Sequence, residues 1–192
     1  MIFFTSNCEQ DWTLSSADEE DKIIQVYELV FLPDKEHIIM IRFARYEDYN
    51  QIHEMLQDIH GMHVKEEPKY YKKVNEVISL SDFNNEVDKK HVFVYEENEK
   101  ILAYAIFAEM LISNHPIIVD QKVLMIDDIC VLKSERGRGI GKELFAYIER
   151  YAKENNYTNI DLNVWTFNTD ALNFYKSMGM RETRVKMSKS IE

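Results

Sequence analysis

The chain has 192 residues, 45% of them apolar, and a formal net charge of −11. That length holds one domain, or one domain plus an appendage, and the apolar share is enough for an ordinary core. The acidic balance argues against nonspecific binding of nucleic acid and for cationic partners, and no run of about 18 apolar residues offers a membrane span.

The N-terminus, Met1-Ile2-Phe3-Phe4-Thr5-Ser6-Asn7, lacks the basic and apolar regions of a signal peptide. Cys8 and Cys130 are the only cysteines, and their separation reads as two reduced thiols in a cytoplasmic protein.

In chain order, residues 1–37 come first, with nine acids against Lys22 and Lys35. This shift in composition predicts an acidic N-terminal extension over 1–37 and a folded domain over 38–192. Ser16-Ala17-Asp18-Glu19 reads as a capping box ahead of a helix carrying Ile23, Ile24, Tyr27 and Phe31 on one side. Residues 24–32 read equally well as a strand that turns at Pro33.

The domain begins with a strand over 38–44. A helix over 46–61 follows, with Tyr49, Ile52, Leu56 and Ile59 on one face. Beyond Pro68, helical segments are predicted over 70–77 and 81–89. Strands over 91–95 and 100–111 are joined by a polar turn, and a third long strand covers 123–131. A helix over 142–154 shows Leu144, Phe145, Ile148, Tyr151 and Ala152 at helical spacing. Residues 159–165 alternate as a strand, 168–178 read as a helix ending at Gly179 as a left-handed cap, and 180–188 as a last strand.

Between the third long strand and its helix lies Arg136-Gly137-Arg138-Gly139-Ile140-Gly141. Glycines let the backbone approach a ligand with no Cβ in the way. The first amides of a helix have no intrahelical partner and carry the positive end of its dipole. A strand, glycine-rich turn and helix start in series therefore form an anion site suited to a pyrophosphate. Neither the dinucleotide spacing Gly-x-Gly-x-x-Gly nor the triphosphate loop fits.

The pattern Arg-x-x-Gly-x-Gly resembles the acetyl-CoA site of the GNAT (Gcn5-related N-acetyltransferase) superfamily, and the element order over about 38–190 matches it. Asn168, Ala171, Asn173-Phe174-Tyr175-Lys176 and Gly179 resemble the family's later segment. The resemblance implies an α/β (α+β) GNAT fold. Its sheet would be mixed, mostly antiparallel and splayed at the fourth strand, with helices on both faces. It also implies acetyl-CoA as cosubstrate with no metal. Met40 is an alternative start, because the family's usual opening begins there. Residues 1–37 have no counterpart in the minimal family pattern.

The implied cofactor contacts are Ile129, Cys130 and Val131 along the splay, Arg136, Gly137, Arg138, Gly139, Ile140, Gly141 and Lys142 at the phosphates, and Asn168, Ala171 and Tyr175 along the pantetheine arm. Tyr175 would be the general acid near the sulfur. Asn168 and Tyr175 are seven residues apart, nearly two helical turns, so they share a face about 10 Å apart along the axis.

Amine acetylation needs a neutral amine, and a free alkylamine has a pKa of about 10.4. A base must therefore take its proton. Asp127 and Asp128 interrupt an apolar strand, and adjacent strand residues face opposite ways, so at least one risks burial and a raised pKa. Either acid is a candidate base; an Asp at 127, where the family more often has Glu, favours a bridging water. The motifs lie closest to the spermidine/spermine and thialysine acetyltransferase branch, in which the two acids contact a polyamine.

The implied acceptor is a small cationic primary amine. A protein N-terminus or lysine is the alternative, and a non-catalytic acyl-CoA-binding module a second. A homodimer is compatible with the pattern, whereas a nucleic-acid or membrane partner is not expected. His53, His60 and His63 lack a metal-site pattern. The segments His60-Gly61-Met62-His63 and Pro68-Lys69-Tyr70-Tyr71 instead read as edges of the acceptor pocket.

Overall fold

The computed structural model describes residues 38–191. The expectations for 1–37 lie outside the described residues. One sheet takes the strands β1 (Ile39–Phe43), β2 (Val92–Glu97), β3 (Lys100–Ile112), β4 (Gln121–Val131) and β5 (Asn159–Leu162) in sequence order. The first three pairings are antiparallel and β4–β5 is parallel. Around the sheet lie the helices α1 (Tyr49–Glu66), α2 (Leu80–Asp88), α3 (Ile140–Glu154) and α4 (Thr169–Ser177). The parallel pair requires a crossover, and α3 supplies it. The β2–β3 hairpin closes on Asn98 and Glu99, at φ 51° and 65°. Two left-handed residues in a two-residue loop match the twist of the flanking strands.

Strand alternation divides the core. Phe93, Tyr95, Ala103, Ala105, Phe107, Leu124 and Ile126 form one cluster with Ile140, Leu144, Phe145 and Ile148 of α3. Val92, Val94, Ile101, Tyr104 and Ile106 face the other way, onto Ile52, Met55 and Leu56 of α1 and Phe83 of α2. Helices thus cover both faces, as the sequence implies. The buried Arg42 of β1 bridges the β1–β2 pair and the start of the first helix. Its guanidinium donates to both oxygens of Asp48 at 2.7 and 3.0 Å, and its Nε donates to Glu96 at 2.7 Å. A buried charge survives only with such partners.

Several sequence expectations are corrected. The first long helix continues to Glu66. Residues 70–77 are not helical. Their carbonyls find other donors: Lys72 O lies 2.9 Å from His60 Nε2, and Asn75 O accepts from Gln57 Nε2 at 2.9 Å. Side chains of α1 thus replace the helical ladder that this segment would need. The strand expected to reach 165 stops at Leu162, where its pairing with β4 ends. Residues 180–188 form no strand; Val185 and Met187 alternate in sequence, yet are 80% and 89% exposed and have no neighbouring strand to pair with among the described residues.

Candidate active site

The last β4–β5 pair is Ile126 with Leu162, whereas β4 stays paired with β3 as far as Val131. The sheet is therefore splayed at its fourth strand, with one edge of residues 127–131 open. The cause lies on the β3 side. Ile106 pairs with Asp128 and Phe107 with Ile126, so Asp127 is an extra, unpaired residue. Such a bulge shifts the side-chain alternation by one. Leu124 and Ile126 face the α3 cluster before it, and Ile129 and Val131 pack on that cluster after it. Asp128 is then placed on the other face, with Cys130 and Tyr104.

The expected anion site lies next to this opening. Gly137 and Gly139 have φ of 84° and 91°, a region that glycine enters freely. The amides of Lys142 and Glu143 close onto Gly139 O at 2.9 and 3.1 Å. Those of Gly139, Ile140 and Gly141 take no backbone acceptor among the described residues, so three donors are presented at the α3 N-terminus. A Cβ on Gly141 would lie 3.4 Å from Val131 and 3.5 Å from Phe174, which makes this glycine the point where β4, α3 and α4 meet. These amides and the open β4 edge fit the pyrophosphate and pantetheine of a CoA ester.

The two arginines of the motif have protein partners here. Arg136 donates through Nε to Val131 O at 3.2 Å. Arg138 is held by Glu97 at 2.8 and 3.0 Å and by Glu135 at 2.5 Å. Its guanidinium ties the turn to the β2–β3 hairpin.

Asn168 caps α4, its Oδ1 accepting from Ala171 N at 3.2 Å. Tyr175 stands two turns further on, half-buried beside Phe145 and Phe174. Burial, and then the charge of Asp128, push its phenol well above the ordinary range, so it stays protonated at neutral pH.

The acids part company. Asp128 is half-buried and accepts from Tyr104 Oη at 2.5 Å. Desolvation raises its pKa against the opposing pull of that hydrogen bond. Asp127 is exposed, and desolvation together with Glu86 pushes it up to about 6. Its exposure lets water offset part of that shift, so burial argues more strongly for Asp128. Cys130 is buried and raised to about 12 by burial and Asp128, so it remains a thiol.

Just beyond β5, the loop after α1 and the loop after β5 bring aromatic rings together. Trp165 Nε1 donates to Tyr71 Oη at 2.9 Å, and the two rings lie 5.8 Å apart. Tyr70 sits 5.3 Å from Trp165, and Phe167 stacks on it at 6.1 Å. The buried His63 stacks on Tyr71 at 5.0 Å, and burial lowers its pKa to about 4. The charge of Asp128 acts on the Tyr71 hydroxyl, as it does on Tyr175.

The segments around His60 and Tyr71 thus meet the loop after β5 through the Trp165–Tyr71 contact. Trp165, Phe167 and the Tyr104–Asp128 contact were not singled out as site features. The sequence signal for the first two was two aromatics, Trp165 and Phe167, two residues apart just beyond a strand. No group of three His, Cys, Asp or Glu suited to a metal occurs among the described residues.

A family model described as the acetyltransferase (GNAT) family matches residues 49–180. The chain belongs to the GNAT family. The BH1408 protein of Bacillus halodurans, solved as a tetramutant, is 31% identical with a TM-score of 0.74, covering 79% of this chain and 99% of that one. An aminoglycoside N-acetyltransferase, AAC(6′)-Iy, in complex with CoA has a TM-score of 0.62 at 17% identity, over 83% of this chain and 99% of that one, a likeness of fold alone. An uncharacterized N-acetyltransferase of Lactobacillus delbrueckii subsp. lactis is 40% identical over 62 residues. That match spans 32% of this GNAT chain and only 36% of the relative. No helix among the described residues is long and apolar enough to cross a membrane.

Proposed function

We propose that this GNAT protein transfers acetyl from acetyl-CoA to the primary amine of a small cationic acceptor. The observation that carries the reading is Asp128, held by the Tyr104 hydroxyl at 2.5 Å just beyond the last β4–β5 pair, where the sheet is splayed. Acetyl-CoA, when bound, supplies an activated thioester and a thiolate leaving group. The amides of Gly139–Gly141 hold its pyrophosphate, and the open edge from Ile129 to Val131 takes the pantetheine arm. A backbone amide of that edge polarises the thioester carbonyl.

Asp128 accepts the ammonium proton, directly or through water, which frees the amine lone pair for attack. As the new C–N bond forms and the C–S bond breaks, Tyr175 donates its proton to the departing sulfur and recovers one, through water, from the new amide nitrogen, while Asp128 releases the first amine proton to solvent. Asp127, at the exposed bulge, helps to attract the cation. A charge-assisted hydrogen bond to a carboxylate is roughly twice as strong as a neutral one, and this favours cationic acceptors. The acidic pair is also what likens this chain to the polyamine branch.

A thiol-release assay with acetyl-CoA and a panel of amines tests the reading. Release that depends on a cationic primary amine, and that falls sharply in Asp128→Asn, is expected. Preference for a neutral arylamine, or for a peptide amine over every small one, would replace the acceptor class. CoA binding without release for any amine would leave a CoA-binding module.

A further inference from the structure

We infer that Tyr70, Tyr71, Trp165 and Phe167 wall a subsite for an amine carried on an aromatic ring by a short alkyl chain. The inference rests on the reading of Asp128 as the partner of the reacting amine and goes further, to the body of the acceptor.

Position comes first. After the last β4–β5 pair, Ile126 with Leu162, the two strands diverge. Asp128 lies two residues beyond the pair on one strand, and Trp165 three residues beyond it on the other. Both therefore flank the same opening. Tyr71 closes the third side, joined to Trp165 by the indole hydrogen bond at 2.9 Å and within reach of the charge of Asp128.

The chemistry of the wall follows from how its polar atoms are used. The Trp165 N–H is taken by the Tyr71 hydroxyl, and the Tyr70 hydroxyl lies 2.9 Å from Ser188 Oγ. His63 is buried and, with its pKa near 4, neutral at physiological pH. What these residues offer is mainly ring face and edge, with Tyr70 53% exposed. Ring surfaces bind another ring by stacked or edge-on contact, and they provide few partners for the hydroxyls of a sugar.

Ring surface, more than charge, separates an aromatic body from a second ammonium. Glu67 and Asp128 both act on Tyr71. The loop that brings the tyrosines also carries the exposed Lys69, Lys72 and Lys73. Glu66, Glu67 and Glu76 lie in or beside the same loop, so its net charge gives a second cation no strong anchor, whereas the ring surfaces suit an aromatic body. One positive charge on an aromatic body fits both ends of the site.

Calorimetric titration of the full chain with CoA present is the test, using 2-phenylethylamine, propylamine, spermidine and kanamycin. Phenylethylamine should bind about 10-fold more tightly than propylamine, the gain expected from one or two aromatic contacts. Trp165→Leu should abolish that preference, and Trp165→Phe should retain most of it. Tyr70→Leu, a change at an exposed ring, should reduce the preference in a protein that folds normally. Equal binding of the aryl and alkyl amines, or tighter binding of spermidine or kanamycin, would overturn the inference. Preferential binding of phenylethylamine without acetylation would uphold the subsite and remove acetyl transfer; acetylation of propylamine with no aryl preference would do the reverse.

Discussion

The two halves of β4 differ in what lies along their far edge. From Val123 to Ile126 the strand is paired on both sides, and Val123, Leu124 and Ile126 are buried. From Asp127 to Val131 it is paired on one side only and carries two acids. One strand thus contributes core in its first half and the proposed chemistry in its second, and a single extra residue separates them. The closed half satisfies every local preference for a strand. The open half leaves backbone groups and carboxylates where a ligand can use them.

The comparison breaks most visibly in the closed half. Leu124 is fully buried, so Leu124→Ala should cost about 3 kcal/mol of stability through lost contacts and an unfilled cavity. Urea unfolding measures this, and the CoA affinity of the molecules that remain folded should not change. A loss below about 1 kcal/mol would mean that this half is not the anchor described.

In the open half the effects should move to turnover. Tyr175→Phe keeps the ring in its contacts with Phe145 and Phe174 and removes the proton. Turnover should fall by roughly 100-fold with little change in melting temperature. Near-normal turnover, where chemistry limits the rate, would exclude Tyr175 as the acid. Gly139→Asp places a negative charge at the phosphate amides and should weaken CoA by about 10-fold or more, read by calorimetry. Unchanged affinity in a folded variant would move the pyrophosphate elsewhere.

The smallest effect sharpens the contrast. Asp127 has its pKa raised to about 6 in the folded chain. A carboxyl that holds its proton more tightly when folded loses stability as pH rises from its unfolded value, about 3.9, through 6. Asp127→Asn should therefore stabilise the protein at pH 7, by about 1 kcal/mol or less given the screening of an exposed group. The gain should vanish below about pH 4. A destabilised variant at pH 7 would show that this acid supports the fold.

Much of this was legible in the sequence where local chemistry decides. The glycine-rich helix start, the Asn168 cap and the left-handed Gly179 follow from backbone demands that few residue types meet. The splay was implied by the resemblance, and two acids in an apolar strand mark where it begins. What escaped depends on distant partners. Residues 70–77 carry no mark showing that Gln57 and His60 would supply their hydrogen bonds. The alternation of Val185 and Met187 suits a strand, but alternation alone provides no neighbour. Arg42 looks like a solvated charge until Asp48 and Glu96 converge on it. Trp165 and Tyr71 are 94 positions apart, and their meeting is a property of the fold.

The Arg138 contacts bear on the timing of recognition. With its guanidinium already clasped between Glu97 and Glu135, the turn has its shape before any nucleotide arrives. Association then needs little ordering of the loop, so more of the contact energy appears as affinity. Capture becomes a question of encounter rather than of rearrangement. Severing the clasp should leave the same amides in place but let them wander, and the signature would be slower arrival of CoA rather than a missing contact.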